Sequence, residues 1–309
     1  MDSLQLSLVY TLVATTTSTG LITYLLLQFG LLSIDTPGQR SSHSTPTPRG
    51  GGLSFVLIVS SYLACLLFII DRKISDSLVI VLICGIILAT VGLADDRRSV
   101  SKTTRFLFQL TLSIVVVLWG LTWGDLEIFG VILPESVSPF LTVLWIMWVT
   151  NTFNFMDGIN GMASLNGIIF ATVLAVLAYA NVETTICLLL LAIAGSLIGF
   201  LPFNFPKAKV FMGDCGSLFL GFLFATIPLI IHSNGHTLSA LATLAIYMPF
   251  LFDTSFTILI RFIKKENIFE AHRTHIYQRL ATRWGHGIVT LLYSLMSTVG
   301  GVLTIYKAS

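Results

Sequence analysis

Charged residues are scarce in this chain. Only 10% of its 309 residues are Asp, Glu, Lys or Arg, whereas 55% are hydrophobic and the mean hydropathy is +0.89. Soluble globular domains contain about 25% charged residues, so this composition excludes a soluble enzyme and a basic nucleic-acid-binding domain. A chain of this kind belongs in a lipid bilayer.

Cysteine is also rare, and long polar stretches are missing. The four cysteines, Cys65, Cys84, Cys187 and Cys215, lack the spacing of a zinc or redox site, so we expect them to pack in apolar spans. Since no soluble domain or long linker interrupts the hydrophobic runs, residues 1–309 are expected to form a single integral-membrane domain. The first run has no basic region before it and no convincing cleavage site, so it is interpreted as a retained span.

The hydrophobic runs predict an all-α polytopic membrane protein. A helical span needs about 20 apolar residues. Ten such spans are placed near residues 4–30, 51–70, 77–94, 106–123, 139–155, 161–180, 185–203, 216–232, 238–260 and 287–306. One connection, 124–138, carries two glycines and Pro134, which predicts a small hairpin.

Basic residues divide the connections into two sets. One set consists of the segments 31–50, 95–105, 156–160, 204–215 and 261–286. That set holds fourteen of the seventeen Lys and Arg residues, and the other set, with the termini, holds only Arg72, Lys73 and Lys307. The positive-inside rule therefore places the first set in the cytoplasm. With ten spans, both termini are expected on the outer, periplasmic side.

Acidic residues gather at the cytoplasmic ends of the spans. Asp95 and Asp96 end the third span, Asp157 follows the fifth, and Asp214 precedes the eighth. Carboxylates in these positions are costly for a membrane protein unless they have a function. Because Mg²⁺ usually shares its ligand shell between carboxylates and substrate phosphates, the convergence of separate aspartates predicts a magnesium–pyrophosphate site.

Two of these motifs also have purely structural interpretations. Asp95 and Asp96 could form an exposed helix end neutralised by the neighbouring Arg97–Arg98 pair. Adjacent helical residues point about 100° apart, so the two aspartates are expected to have different roles. Asp214 is suited to the N-cap of the eighth span, and a helix N-terminus bracketed by glycines is also suited to bind an anion or a metal–phosphate group.

The segment 151–163 is the most informative stretch of the chain. Asp157 and Gly158 could form a simple turn between two helices. Asn151 and Asn154 argue against that, because amides three residues apart share a helix face and bury poorly in lipid. We interpret them as a polar wall beside a ligand.

The last cytoplasmic segment contains His272 and His275, whose spacing places them on one face if the segment is helical. A zinc pair would need a third ligand at a suitable spacing, and none is present. With several carboxylates available, Mg²⁺ is expected, with Mn²⁺ as an alternative. The two histidines and Arg273 are then expected to contact phosphate.

Two further polar features lie outside these motifs. Asp253 is the one acidic residue well inside a span, where a carboxylate is a functional candidate; it either lines the same cavity or pairs with Arg261. The loop 40–52 ends in Arg49 and three glycines. It is either a flexible basic loop or a place where backbone N–H groups and Arg49 meet an anionic headgroup.

Taken in order, these motifs resemble those of the polyprenyl-phosphate N-acetylhexosamine-1-phosphate transferase family, glycosyl transferase family 4. The resemblance covers nearly the whole chain, from Asp35-Thr-Pro37 and Pro46–Gly52 through the aspartate motifs to the histidine loop. It implies a bacterial inner-membrane bundle of ten or eleven helices, often a homodimer, with a cytoplasmic active site.

The resemblance also implies a reaction and a set of site residues. Family members transfer a sugar 1-phosphate from a UDP-N-acetylamino sugar to undecaprenyl phosphate with Mg²⁺ and release UMP. From the motifs and the resemblance together, the expected catalytic residues are Asp95, Asp96, Asp157, His272 and His275; the metal ligands are Asp214 and Asp157; and the substrate-binding residues are Asn151, Asn154, Asn204, Arg49, Arg273 and Lys102.

Two departures from the family pattern bear on the donor. Asn160 stands where the family often has Asp, and His-Arg-Thr-His-Ile-Tyr-Gln, residues 272–278, replaces the common His-x-His-His cluster. The second departure resembles the O-antigen-initiating branch, whose donors are 6-deoxy amino sugars such as UDP-N-acetylfucosamine or UDP-N-acetylquinovosamine. The alternative donors are UDP-N-acetylglucosamine and a peptidoglycan precursor.

Two other classes of membrane protein fit the sequence less well. A transporter or flippase would need polar residues at mid-membrane and broken helices, whereas the spans are clean apart from Asp253. A CDP-alcohol phosphatidyltransferase would carry one compact acidic signature along a single helix, whereas the aspartates here are spread over three loops.

Overall fold

The computed structural model describes most of the chain. The described residues are 3–37, 45–68, 75–124, 127–128, 131–132, 134–235, 238–267, 270 and 272–308. Three of the basic residues that entered the side assignment, Arg40, Arg72 and Lys73, lie outside them.

Helices make up nearly all of the described structure. They are α1 (Ser3–Gln28), α2 (Leu53–Phe68), α3 (Asp76–Arg97), α4 (Lys102–Leu118), α5 (Ser138–Met156), α6 (Met162–Ala180), α7 (Thr184–Asn204), α8 (Gly213–Ser233), α9 (Ala240–Ile263), α10 (Ile276–Trp284) and α11 (His286–Ala308). Two antiparallel strand pairs join them: β1 (Ser33–Asp35) with β2 (Thr47–Arg49), and β3 (Glu127–Ile128) with β4 (Val131–Ile132). A 3-10 turn, Glu135–Val137, precedes α5.

This architecture confirms the polytopic membrane fold. Eight of the described helices are long and apolar enough to cross a membrane, and Leu53–Leu67 is a shorter apolar helix. Each of the ten predicted spans corresponds to a helix, although α4 begins four residues before the predicted 106–123. The predicted hairpin in 124–138 is also confirmed, because Glu127 pairs with Ile132. The additional helix is α10, within the histidine segment.

Serine side chains cap the start of α3 and of α4. Ser75 accepts a hydrogen bond from the Leu78 N–H at the start of α3. Ser101 begins α4 in the same way, through the N–H of Thr104. Serine is a favoured N-cap because its oxygen satisfies one of the unpaired N–H groups of the first turn. The cap at Ser101 explains why α4 begins earlier than hydropathy predicts: its first turn is polar.

The most buried helix, α8, organises the bundle. It lies between α3 and α5, and 94% of the residues in its apolar 18-residue stretch are buried. Glycines allow the close approach: a Cβ on Gly92 of α3 would collide with the backbone of Asp214, and one on Gly221 of α8 would meet the backbone of Thr150 at 2.8 Å. The end of α3, the end of α5 and the start of α8 therefore meet at one end of the bundle, and they bring three of the acidic motifs together.

Candidate active site

Asp96 caps the N-terminus of α8. Its Oδ1 accepts the backbone N–H of Asp214 at 2.9 Å, and its Oδ2 accepts the N–H of Cys215 at 3.0 Å. Gly213 precedes them with φ +77°, and a Cβ there would lie 2.5 Å from an Asp96 oxygen. The N-cap role predicted for Asp214 is therefore wrong: Asp96 supplies the cap from another helix, which leaves the Asp214 carboxylate free for other partners.

Arg49 joins two of the predicted carboxylates. Its Nε lies 2.8 Å from Asp96 Oδ1, and its Nη2 lies 2.8 Å from Asp214 Oδ1. The Phe211 N–H donates to the Pro48 carbonyl at 2.8 Å, and this contact holds β2 against the chain entering α8. Burial works to lower the pKa of Arg49, but Asp214 and Asp96 outweigh it and raise the pKa, so Arg49 stays charged.

Arg105 joins Asp95 to Asp214. Its Nη1 lies 2.7 Å from Asp95 Oδ2 and 2.8 Å from Asp214 Oδ2. The carboxyl groups of Asp95 and Asp214 also lie within hydrogen-bonding distance of each other. The alternative interpretation, in which the Arg97–Arg98 pair neutralises this helix end, does not hold, because Asp96 and Asp95 pair with Arg49 and Arg105 from other segments, while the Arg97 and Arg98 side chains are exposed.

Asp157 faces the same cluster from the end of α5. The Gly213 N–H donates to its carboxylate. Burial raises the pKa of Asp157 well above its ordinary value; Arg49 opposes this, whereas the nearby Asp214 and Asp96 add to it. Asp157 is thus placed with the other three carboxylates, as predicted, in an environment that penalises its negative charge.

The two amides of the polar wall have separate partners. Asn154 Nδ2 donates to Asp214 Oδ1 at 3.2 Å and to Ser217 Oγ at 2.8 Å. Asn151 Nδ2 instead donates to Gln109 Oε1 of α4 at 2.6 Å. Asn154 therefore belongs to the carboxylate cluster, whereas Asn151 connects α5 to α4 beside it.

Asn204 uses its side-chain amide inside the protein. Its Oδ1 accepts the Gly161 N–H at 3.0 Å and the Ser164 hydroxyl at 2.8 Å, and its Nδ2 donates to the Val210 carbonyl at 3.0 Å. The side chain fastens the end of α7 to the segment after Asp157. Its contact with a uridine stays a prediction.

The histidine segment is not helical at the two histidines. His272 and His275 precede α10, and their rings stack with centroids 4.9 Å apart. Burial, with smaller contributions from His275 and Arg261, lowers the pKa of His272 to about 4, so this ring is uncharged at neutral pH. His275 Nδ1 lies 3.2 Å from Asp253 Oδ1 and is buried. Catalytic roles for the two rings stay predictions.

Asp253 does not pair with Arg261. Arg261 Nη1 lies 2.8 Å from Glu266 Oε2, whereas the Asp253 carboxylate faces the histidine segment and the start of α10. The alternative pairing considered from the sequence is therefore wrong.

The remaining predicted residues make other contacts or are exposed. Arg273 lines a cleft of about 110 Å³ together with Ile159, Gln278, Ala281, Thr282 and His286. The backbone N–H of Asn160 points to His286 Nδ1 at 3.4 Å, and its side chain donates to the Pro206 carbonyl at 3.0 Å. Lys102 is exposed at the first position of α4.

The charge balance of the cluster fits a divalent cation. In their ionised forms, the carboxylates of Asp95, Asp96, Asp157 and Asp214 outnumber the guanidinium groups of Arg49 and Arg105 by two, and the pKa of Asp157, raised by burial and then by Asp214 and Asp96, marks negative charge that a bound cation would offset. Carboxylate oxygens are the ligands that Mg²⁺ prefers. Among the described residues no three His, Cys, Asp or Glu side chains form a ready-made metal site. Both Asp214 oxygens contact arginines, so a cation would share Asp214 with them or displace one.

Arg105 and Ser217 are site residues that the motif analysis missed. Arg105 was counted only as a basic loop residue, and Ser217 only as the end of the Met212–Ser217 motif. A usable signal existed for Arg105, because it lies in the first turn of a helix that begins six residues after Asp96, at the same end of the bundle.

The sequence is similar to known proteins over most of its length. Residues 78–232 match the family model described as glycosyl transferase family 4. A Bacillus subtilis (strain 168) protein named as a probable undecaprenyl-phosphate N-acetylglucosaminyl 1-phosphate transferase is 31% identical, over 90% of this chain and 78% of that protein. An undecaprenyl-phosphate alpha-N-acetylglucosaminyl 1-phosphate transferase of Thermotoga maritima is 29% identical, over 87% and 81%. A phospho-N-acetylmuramoyl-pentapeptide-transferase of Streptococcus pneumoniae is 31% identical, over 61% and 60%.

Proposed function

Because the chain belongs to glycosyl transferase family 4, we propose that it transfers an N-acetylhexosamine 1-phosphate from a UDP-sugar to undecaprenyl phosphate and releases UMP. The observation that carries this proposal is the cluster in which Arg49 and Arg105 hold the carboxylates of Asp95, Asp96 and Asp214 at one end of a membrane bundle. The relatives named above act, by their names, on polyprenyl phosphates or on a related muramoyl-pentapeptide substrate.

The chemistry is a displacement at phosphorus. An oxygen of the lipid phosphate attacks the phosphorus that carries the sugar, the bond from that phosphorus to the bridging oxygen breaks, and UMP leaves with the electron pair. Both reactants are anions, so their approach is repulsive unless cations offset it. Arg49 and Arg105 are already placed at the carboxylates and would add charge-assisted hydrogen bonds to phosphate oxygens. A lipid phosphate is ionised near neutral pH, so the reaction does not need a strong general base.

Mg²⁺ is the cofactor that the carboxylates would hold. Asp214 would be its first ligand, with Asp157 or the Asp95–Asp96 pair contributing directly or through water. When bound, Mg²⁺ neutralises the pyrophosphate and stabilises the leaving group. The protein's own part is to fix the carboxylates: Asp96 is locked as the cap of α8, and Asn154 orients Asp214.

We place the cluster at the cytoplasmic face of a bacterial inner membrane. The support is the distribution of basic residues in the sequence: fourteen of seventeen belong to the set of connections that carries the acidic motifs. This orientation leaves both termini on the outer side. It also fits a soluble nucleotide sugar in the cytoplasm and a lipid acceptor in the bilayer.

The donor is proposed to be a UDP-N-acetylhexosamine, with UDP-N-acetylglucosamine tested first. The names of the Bacillus and Thermotoga relatives support this sugar. The replacement of the His-x-His-His cluster by His-Arg-Thr-His-Ile-Tyr-Gln, residues 272–278, is the observation that favours 6-deoxy donors and an O-antigen role as a second candidate. Such discrimination rests on a few contacts worth about 1–3 kcal/mol each, so a donor panel decides between them.

The proposal is tested by UMP release from purified protein in detergent. The assay contains undecaprenyl phosphate and, in separate reactions, UDP-N-acetylglucosamine, UDP-N-acetylfucosamine and UDP-N-acetylquinovosamine, with Mg²⁺, with Mn²⁺ and with EDTA. The variant is Asp214→Asn. Its matched control is Glu183→Gln, which neutralises a half-buried carboxylate just before α7, at the opposite end of the bundle, and keeps an oxygen for the Asn234 side chain that donates to it.

The expected result is UMP release that needs the lipid phosphate and a divalent cation, is lost in Asp214→Asn and is retained in Glu183→Gln. Release of UMP without the acceptor would contradict direct attack by the lipid phosphate. Failure of folded protein to turn over or bind any UDP-sugar would overturn the proposed function.

A further inference from the structure

Asp253 is completely buried and surrounded by hydrogen-bond donors. Its Oδ1 accepts the backbone N–H of Ile276 at 3.0 Å and faces His275 Nδ1, and its Oδ2 accepts the backbone N–H of Tyr277 at 2.8 Å and the Tyr293 hydroxyl. It is 0% exposed. A carboxylate with both oxygens occupied by donors in this way has no free position to accept a hydrogen bond or a proton from a substrate.

The result is a helix cap that joins three helices. Ile276 and Tyr277 are the first two residues of α10, whose N–H groups lack partners within the helix. Asp253 lies in α9 and supplies those partners, and Tyr293 of α11 holds the same carboxylate. A negative charge at this position also interacts favourably with the dipole of α10.

Tyr277 carries this connection to the segment that contains Asp157. Its hydroxyl donates to the Phe155 carbonyl at 2.7 Å and accepts the backbone N–H of Gly158. A Cβ on Gly158 would overlap the Tyr277 hydroxyl, so the two segments are in direct contact. The Tyr277 ring itself is fully buried. Phe155 and Gly158 lie on either side of Asp157, so the tyrosine fixes the backbone there.

We propose that Asp253 and Tyr277 are positioning residues for the proposed transfer: Asp253 fixes the start of α10, and Tyr277 then holds the backbone on both sides of Asp157 so that its carboxylate faces Asp214 and Arg49. The expected effect on kcat rests on the proposed function, whereas the expected effect on the backbone around Asp157 rests on the structure alone. Asp253, the intramembrane carboxylate, would thus affect the reaction without contacting a substrate.

The test uses Tyr277→Phe, Asp253→Asn and the double variant in the full chain. Tyr277→Phe keeps the ring and removes only the hydroxyl. Asp253→Asn places an N–H₂ group against N–H donors. The matched control is Thr257→Val, because Thr257 donates to Asp253 Oδ1 at 3.3 Å from within α9 and does not reach α10. Two readouts are made on each protein: kcat and KM for UMP release, and hydrogen exchange of the backbone amides in residues 155–161.

We expect both single variants to lower kcat by about 10- to 100-fold, as for a small misplacement of a reacting group, with KM for the lipid acceptor unchanged. The double variant should be no slower than the slower single variant, because two residues acting through one contact are not additive. Exchange in 155–161 should be faster in all three variants and unchanged in Thr257→Val. A purely structural role would lower the unfolding temperature while leaving kcat per folded molecule and local exchange as in the wild type.

The two readouts separate failure of this inference from failure of the proposed function. If the wild-type protein releases no UMP, the hydrogen-exchange experiment still decides whether Tyr277 and Asp253 hold the Asp157 segment. Unchanged exchange in Tyr277→Phe, or multiplied kcat losses in the double variant, would overturn the inference.

Discussion

The carboxylate of Asp96 accepts the backbone N–H of Asp214 over 2.9 Å and thereby fixes the start of α8. Its neighbour Asp95 makes no such cap. Asp95 instead faces Arg105 and the Asp214 carboxyl group. Two adjacent aspartates thus have different roles, as their separation of about 100° around a helix predicts.

Asp96→Ala is expected to destabilise the protein more than Asp95→Ala does. Loss of an N-cap costs about 1 kcal/mol, and Arg49 would also lose one of its two carboxylate partners. Asp95→Ala, by contrast, removes a carboxyl group that lies against another one, which offsets part of the lost Arg105 contact. Thermal unfolding in detergent measures the difference. Both variants are expected to lose UMP release, so the stability readout separates them, and a larger loss of stability in Asp95→Ala would contradict the assignment.

Arg105 is expected to tolerate lysine better than alanine. A single nitrogen, Nη1, contacts both Asp95 and Asp214, so one ammonium group can replace it, unlike an arginine that binds through two nitrogens. Arg105→Ala leaves two carboxyl groups in contact without a cation between them. We expect it to lower kcat/KM roughly tenfold or more, since removing one partner of a largely buried charge pair is costly, whereas Arg105→Lys retains most of the activity.

The control for Arg105 is Arg98→Ala, which removes an exposed positive charge from the same connection. It should leave UMP release within about twofold of the wild type, since surface charge pairs contribute little. Equal losses in Arg105→Ala and Arg98→Ala would mean that the general positive charge of this surface matters, and not the contact with Asp95 and Asp214.

The helices and their order could be predicted because a membrane span must satisfy its own backbone hydrogen bonds and therefore shows as a long apolar run. The acidic motifs could be predicted for a similar reason: carboxylates at a membrane edge are conspicuous. Asp95, Asp157 and Asp214 were identified in this way, and the structure brings them together.

The pairing of charges could not be predicted. Asp96 and Asp214 are 118 residues apart, and a hydrophobic run reveals neither the rotation of a helix nor its neighbours. The structural alternative considered from the sequence therefore paired the aspartates with the adjacent Arg97 and Arg98, whereas Arg49 and Arg105 pair with them in the structure. The role of Asp253 was equally inaccessible, because its partners belong to a short polar helix that hydropathy does not detect.

Gly92 is expected to be intolerant of alanine. A Cβ there would overlap the backbone of Asp214, where α3 and α8 pack most closely. Because the overlap is with backbone, relief requires the two helices to separate, at a cost of about 1–3 kcal/mol, and Asp214 moves with α8. The unfolding temperature and the rate of UMP release should both fall.

The matched control is Gly20→Ala in α1, where the nearest atom to the new Cβ would be the Gly199 carbonyl oxygen, at an ordinary contact distance of 3.5 Å. That change should be neutral or stabilising by about 0.4–1 kcal/mol. A Gly92→Ala protein with wild-type stability and activity would show that the α3–α8 contact does not determine the position of Asp214.

His272 is expected to affect stability at acid pH and to have no effect on the pH profile near neutrality. Burial lowers the pKa of His272 to about 4, below its ordinary value of about 6.5. Between these values the unfolded chain binds a proton that the folded protein does not, so the His272 contribution favours unfolding as the pH falls through this window and vanishes above it. His272→Gln should therefore flatten the decline of unfolding temperature below pH 6.5, and it should leave the pH dependence of kcat/KM between pH 6.5 and 8 unchanged. Loss of a titration step between pH 6.5 and 8 in the variant would instead show that a charged His272 contacts the substrate.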